Sequence, residues 1–249
     1  MWGPYDISVF VLERDIFARH CIAGCLGWDR RTRVAGQASA VHEMLSLLEQ
    51  AEKPPRIDVV LLDVGPASLP AALEDEVKTI LNRLPDVRVI CLANTADPTI
   101  ARSAAQAGAA AYFVRDQVGL AVASAICVAI HNTFTMTHEL ADYTLDRASW
   151  PCEVHILPER RHHPELPQRV EQALELCVLD GLPADVAADE MGVSTNTVRS
   201  YVKEGYRILE AEDGRQYPWT MSPMERAFLR INALQGDSEI PPERDEFVA

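Results

Sequence analysis

Positive charge is scarce in this sequence: 23 lysines and arginines face 37 carboxylates over 249 residues, a formal net charge of −14. A protein that neutralises phosphates usually carries a basic face. Any nucleic-acid contact surface here must therefore be local, ringed by a repulsive field and strongly salt-sensitive. Long apolar runs are missing as well. No window approaches eighteen uninterrupted apolar residues, and Met1 to Asp6 lacks the basic stretch of a signal peptide, so neither membrane insertion nor export is expected. The six cysteines (Cys21, Cys25, Cys91, Cys127, Cys152, Cys177) are scattered, mostly within apolar runs. They read as small reduced core residues and not as a disulfide framework, which implies a cytoplasmic protein. The chain also lacks a phosphate-cradling glycine loop, a helical pair of metal-binding histidines and a glycine-flanked serine nucleophile, so no enzyme is expected.

What is present is a hydrophobic fraction of 48%, enough for real cores, in a chain long enough for two ordinary domains. From residue 7, short β-branched apolar runs (Ile7 to Leu12, Arg33 to Gly36, Ile57 to Val64, Val87 to Leu92, Ala110 to Arg115) alternate with stretches of helical spacing. Those stretches are Ile16 to Leu26, Ala40 to Gln50, Pro70 to Arg83, Thr99 to Ala107 and Gln117 to Ile130. Strands alternating with helices predict right-handed crossovers and a doubly wound α/β domain with a five-stranded parallel sheet over residues 1–131. Ligands in that fold gather beyond the carboxyl ends of the strands. The runs stop at Glu13-Arg14-Asp15, Asp63, Ala93-Asn94 and Arg115-Asp116.

Residues 132–164 change character, with Trp150-Pro151, Leu157-Pro158 and the polar run from Glu159 to Pro164, and read as a linker. His162 and His163 have no further ligand at a defined spacing and are taken as linker polarity, not as a metal site. Over 165–216, three helical stretches are separated by Asp180-Gly181-Leu182-Pro183 and Met191-Gly192-Val193-Ser194, a helix-turn-helix signature in a small all-α domain. Ser194 caps the third stretch, Asn196 to about Leu209, and Gly205 inside it is expected to fray its end. In the extension 217–249, Ser222-Pro223-Met224-Glu225 forms a capping box ahead of an amphipathic helix. Met224, Phe228 and Ile231 share its apolar face, Gly236 ends it, and it is expected to dock on its own chain.

Ile57-Asp58-Val59-Val60-Leu61-Leu62-Asp63 resembles the third strand and phospho-acceptor aspartate of response-regulator receivers, and Val87 to Asp116 is similar to the fourth strand, fourth helix and fifth strand of the same family, specifically the NarL/FixJ type. The resemblance implies strand order 2-1-3-4-5 and Asp63 as acceptor. It also implies three supports: an acidic pair holding Mg²⁺, a hydroxyl after the fourth strand and a lysine after the fifth. This chain departs at each. Glu13-Arg14 replaces the acidic pair, Ala93 the hydroxyl and Arg115 the lysine, and Pro66 comes one residue early. The expectation is a pseudo-receiver with no cofactor, in which the Arg14 guanidinium stands where Mg²⁺ would sit and neutralises Asp63. Tyr112 resembles the switch aromatic of active receivers but is expected to be plain core.

Gly181 to Val202 resembles the LuxR-type helix-turn-helix and is similar also to the promoter-reading region of sigma factors. The resemblance implies a transcription regulator bound to promoter DNA. Helical geometry turns Val198, Val202 and Leu209 inward with Tyr201 at the edge. Asn196, Arg199, Ser200 and Lys203, with Thr195 at the helix start, face outward with side chains that can read bases or hold phosphates. Between Leu166 and Gln216, however, Arg169, Arg199, Lys203, Arg207 and Arg215 meet twice as many acids. Independent binding is thus expected to be weak, and a homodimer or a second regulatory protein would supply the missing contacts. By analogy a dimer would form through the receiver-like domain's last helices or through the helix-turn-helix. The alternative function is a protein-interaction module that keeps both scaffolds without groove contacts.

Overall fold

Six consecutive buried residues, Ile7–Leu12, form β1, an interior strand of a parallel sheet, largely apolar on both faces because helices cover both. The computed structural model describes residues 7–65, 68–144, 150–213, 217 and 220–235, in two compact units that divide between Arg160 and Arg161. Gly236, Pro66, Arg215 and the segment Met1 to Asp6 lie outside the described residues.

The first unit runs β1, α1 (Ile16–Trp28), β2 (Thr32–Ala38), α2 (Val41–Gln50), β3 (Val59–Val64), α3 (Pro70–Arg83), β4 (Arg88–Ala93), α4 (Pro98–Ala107) and β5 (Ala111–Val114). The order 2-1-3-4-5 is the one expected, and every pairing is parallel. Helices α2, α3 and α4 pack side by side, while α1 packs against the later α6 (Val122–Ala129). The register of β1 on β2 shifts between Val9 and Phe10, where the Phe10 ring occupies the space over Gly36. A Cβ on Gly36 would lie 2.4 Å from that ring, so only glycine fits.

Two expectations are corrected. The single helix over 117–130 is broken: α5 (Arg115–Val118) ends at Gly119, whose φ of +50° interrupts the helical path, and a 3₁₀ turn leads into α6. The sheet has seven strands, not five. Residues read as linker supply β6 (Phe134–Met136) and β7 (Val154–Ile156), which extend the sheet beyond β5 in parallel. Phe134 and Met136 are fully buried, Trp150 packs on Phe134 at 6.0 Å between ring centroids, and Arg102 lies 5.5 Å over the indole. Three-residue strands are too short to show an alternation, which is why this edge of the sheet leaves no periodic trace.

The second unit contains α7 (Gln168–Leu174), prolonged by a π-helical turn, Glu175–Leu179, then α8 (Ala184–Met191), α9 (Thr195–Glu212) and α10 (Pro223–Ile231). Gly192, at φ +65°, ends α8, and the Ser194 hydroxyl accepts from the Thr197 amide to start α9. Ala173, Ala187, Ala188, Met191 and Val198 make the core where the three helices meet. Gly205 does not fray α9. It is buried, and a Cβ there would meet Leu174 at 2.6 Å, so the glycine lets α7 and α9 approach closely. Helix α10 begins with the expected capping box, Glu225 returning a carboxylate to the Ser222 amide at 2.7 Å, and it docks on α9. Arg230 is the anchor: its Nε lies 3.0 Å from Asp213, its guanidinium sits 4.4 Å over the Tyr217 ring, and the Tyr217 hydroxyl donates to the same carboxylate. His163 fills the remaining gap, one ring nitrogen 2.9 Å from Glu165 and the other 3.2 Å from the Arg230 carbonyl.

Candidate functional site: an arginine-bridged carboxylate pocket and an exposed recognition helix

At the carboxyl end of the sheet, β1 delivers Glu13, β3 delivers Asp63, β4 ends on the buried Ala93, and the first residue of α5 is Arg115. These four sequence-predicted residues do converge. Arg115 bridges the two acids: its Nη2 lies 2.7 Å from Asp63 Oδ1 and also donates to Glu13 Oε2. Both carboxylates are nearly covered, with side chains 4% exposed for Glu13 and 10% for Asp63. The second oxygen of Glu13 accepts the Asp15 amide at 2.9 Å, so both oxygens of Glu13 are engaged.

Arg14 does not do what its position suggested. Its guanidinium points away to Glu76 on α3, 3.8 Å distant, and lies over Gly65, where a Cβ would stand 2.4 Å from its Nη1. The cation that neutralises Asp63 by contact is Arg115, and Arg14 adds only a longer-range field. The reason is reach: Arg115 starts from the strand beside β4 and enters the pocket from within, whereas Arg14 starts on a loop that lets its side chain stay 56% exposed. Glu76 escaped the sequence reading, since a carboxylate on an amphipathic helix carries no signal of facing a pocket. Burial and the nearby Asp63 push its carboxyl above the usual range against the pull of Arg14.

Asp63 itself is held above the ordinary aspartate value, first by burial and then by the neighbouring Glu13 carboxylate, which together outweigh Arg115 and Arg14. A single bridging cation facing two acids leaves the pair short of one positive charge. The donor set does not suit a magnesium ion. Asp15, the remaining acid at the end of β1, spends its carboxylate on the Phe17 and Ala18 amides as the cap of α1, and the facing oxygens of Glu13 and Asp63 are taken by Arg115. Among the described residues no group of three or more His, Cys, Asp or Glu is arranged to hold a metal. Tyr112 is buried, its hydroxyl donating to the Thr95 carbonyl at 3.0 Å, which ties β5 to the loop after β4.

In the second unit, Val198 and Leu209 are buried and Tyr201 and Val202 half-buried, while Asn196, Arg199, Ser200 and Lys203 are exposed along one side of α9. Thr195 sits half-buried at the helix start. The Ser200 hydroxyl is turned back onto the Asn196 carbonyl at 2.9 Å, so Asn196, Arg199 and Lys203 remain the outward polar set. Arg207 is spent on Glu204, two contacts at 2.6 and 3.0 Å. Helix α8 presents Asp185, Asp189 and Glu190 to solvent and no base.

A family model of sigma-70 region 4 matches residues 160–209, the stretch that contains α7, α8 and most of α9. The DNA-binding transcriptional activator DevR/DosR of Mycobacterium tuberculosis is 31% identical over 121 residues, covering 48% of this chain and 52% of that protein. The chain thus spans about half the length of the curated relative it matches. Among solved structures, RcsB dimers bound to parallel DNAs match at 14% identity, covering 80% of this chain and 89% of that one with a TM-score of 0.46. A response regulator from Thermotoga maritima matches at 20% identity, covering 51% and 99%, with a TM-score of 0.42. The order of the first five strands and the helix-turn-helix that follows them are those that the resemblance to NarL/FixJ-type response regulators implied.

Proposed function

We propose that this chain is a cytoplasmic, DNA-binding transcription regulator, not an enzyme, whose receiver-like unit works as a pseudo-receiver. The observation that carries the second half is the Arg115 bridge between Glu13 and Asp63. In a working receiver a metal and a charge-balancing lysine prepare the aspartate for attack on a phosphoryl donor. Here the nucleophile is already paired, its carboxyl is biased towards protonation by burial and Glu13, and Ala93 offers no hydroxyl to an incoming phosphoryl group. A permanent ion pair stands in for the metal, and the state of this unit is set by contacts with partners. Incubation with acetyl phosphate and Mg²⁺ followed by intact-mass measurement is expected to show no adduct. A stoichiometric phosphoryl adduct lost in Asp63→Ala would overturn the reading.

DNA binding rests on the exposure of Asn196, Arg199 and Lys203 along α9, the helix that a helix-turn-helix lays in the major groove. Arg199 can fork onto guanine and Asn196 can pair with adenine, with Lys203 on phosphate. The acids exposed on α8 oppose backbone approach, so two copies bound together, or a partner protein, supply the affinity one copy lacks. Those same acids favour the second reading, an interaction module on a helix-turn-helix scaffold. Gel shift against genomic fragments at low and moderate salt separates the two: binding lost in the Arg199→Ala, Lys203→Ala double variant supports the DNA reader, and binding untouched by it removes α9 as the contact.

A further inference from the structure

Two of the six cysteines depart from the core role that the sequence suggests. Cys21 is exposed and Cys25 half-buried, both are free thiols, and both lie on α1, four residues apart. That spacing stacks them one turn apart on a single face of the helix. They are also in contact, since the two thiols share a hydrogen bond. Burial first, and then the Cys21 sulfur beside it, pushes the Cys25 thiol up to about 12. The surface around the pair is open. Gly24 is exposed, with nothing within 4 Å of where its side chain would begin, and the exposed rings of Phe17 and Trp28 stand about a turn beyond either end of the pair.

We propose that Cys21 and Cys25 form a dithiol site for a monosubstituted trivalent arsenical, held by two As–S bonds across one turn of α1. The span suits an inserted atom better than a direct S–S bond. Cβ atoms at this spacing stand about 5–6 Å apart on a helix, whereas a disulfide draws them to about 3.5–4.5 Å. Oxidation would therefore have to distort α1. A centre that holds each sulfur at about 2.3 Å, the distance a thiolate keeps from zinc, fills the gap with the helix intact.

Ligand chemistry selects among such centres. Thiols favour soft partners. Helix α1 contains no carboxylate, and among the described residues no third His, Cys, Asp or Glu joins the pair. A hard cation thus finds no oxygen ligands, and a tetrahedral zinc ion lacks half of its set. A cation bound by two thiolates must also displace both thiol protons, which the raised Cys25 thiol resists at neutral pH. An arsenical R–As=O meets no such barrier. Its As–O bonds break, two As–S bonds form, and the oxygen leaves with both thiol protons as one water. Arsenic stays trivalent throughout, so no oxidant or reductant takes part. The organic group uses the third valence, so two thiols complete the centre, whereas inorganic arsenite keeps a third position that this site cannot fill. The Phe17 and Trp28 rings offer that organic group apolar surface. Neither thiol is part of the Arg115-bridged pocket or of α9, so arsenical capture is independent of how the chain meets DNA or phosphodonors.

Intact-mass measurement of the reduced full chain at pH 7, after phenylarsine oxide in an excess of the monothiol 2-mercaptoethanol, tests it. The wild type is expected to gain one phenylarsine oxide less one water, and to lose it again to the vicinal dithiol 2,3-dimercaptopropanol. The adduct is expected to be absent in Cys21→Ser and in Cys25→Ala; Cys21 is exposed, so its serine variant keeps the fold even where the second variant does not. Neither Zn²⁺ nor inorganic arsenite at equal concentration is expected to displace it. A wild type without the adduct, an adduct that both variants retain, or one that Zn²⁺ or arsenite displaces overturns the assignment.

Discussion

Removing the bridging arginine is the sharpest perturbation of the receiver-like pocket. Arg115→Ala leaves Glu13 and Asp63 side by side, one 4% and the other 10% exposed, with no cation in contact with either. Deleting one member of a buried ion pair costs about 3–5 kcal/mol. Arg115 is itself a fifth exposed, so water replaces part of what it gave, and about 2–3 kcal/mol is expected. In a unit of this size each kcal/mol moves the melting temperature by about 2–4 °C, which makes the drop about 5–10 °C. The loss is also pH-dependent. Asp63 already titrates above the ordinary aspartate value because of burial and Glu13, and without Arg115 it rises further. The folded state then holds a proton that the unfolded chain has released. Stability is present below the unfolded value and lost as pH rises through the folded one, so the deficit grows towards about pH 8 and shrinks towards about pH 5. Asp63→Asn in the same background removes the like charge and recovers part of the loss. Thermal unfolding followed by circular dichroism at both pH values checks all three statements. A deficit under about 0.5 kcal/mol that does not change with pH would refute the reasoning.

Arg230→Ala is expected to destabilise the second unit by about 3 kcal/mol in urea titration, since it removes the cation shared by the buried Asp213 carboxylate and the Tyr217 ring; Arg230→Lys should not restore it, because an ammonium lacks the planar fork. Ser222→Ala opens the capping box at the start of α10 and is expected to cost about 1 kcal/mol, read as faster amide exchange in that helix than in α9. Gly205→Ala gains helix propensity yet drives a methyl into Leu174, and a net loss of about 1 kcal/mol is expected; a stabilised variant would show that α7 and α9 separate at no cost.

Much of this was legible from residues 7 to 116, because two-sided buried strands and amphipathic helices differ in period and each run is long enough to show it. Pro70–Arg83 and Ile7–Leu12 emerge from the sequence at their observed bounds. The short β6 and β7 did not, as three residues carry no period, and the turn residues around Trp150 mimic a linker. In the pocket, strand-end logic brought Glu13, Asp63 and Arg115 together but assigned the neutralising contact to Arg14. Sequence position says which residues leave a strand end, and not which long side chain turns inwards. Gly205 shows the same limit: a helix-weakening residue by propensity is a packing residue once Leu174 lies across it. The outward set on α9 followed from helical geometry, except that the Ser200 hydroxyl bonds its own backbone, a choice open to any helical serine.

On the proposed reading, α9 reads DNA while the Arg115-bridged pocket keeps control of the protein independent of phosphoryl transfer. Anisotropy titration of a genomic fragment recovered with the native protein, with and without acetyl phosphate and Mg²⁺, tests it most directly. The expected result is saturable binding that falls steeply with salt, disappears in the Arg199→Ala, Lys203→Ala variant and is unchanged by the phosphodonor. Binding that appears only after phosphodonor treatment, and is lost in Asp63→Ala, would contradict it.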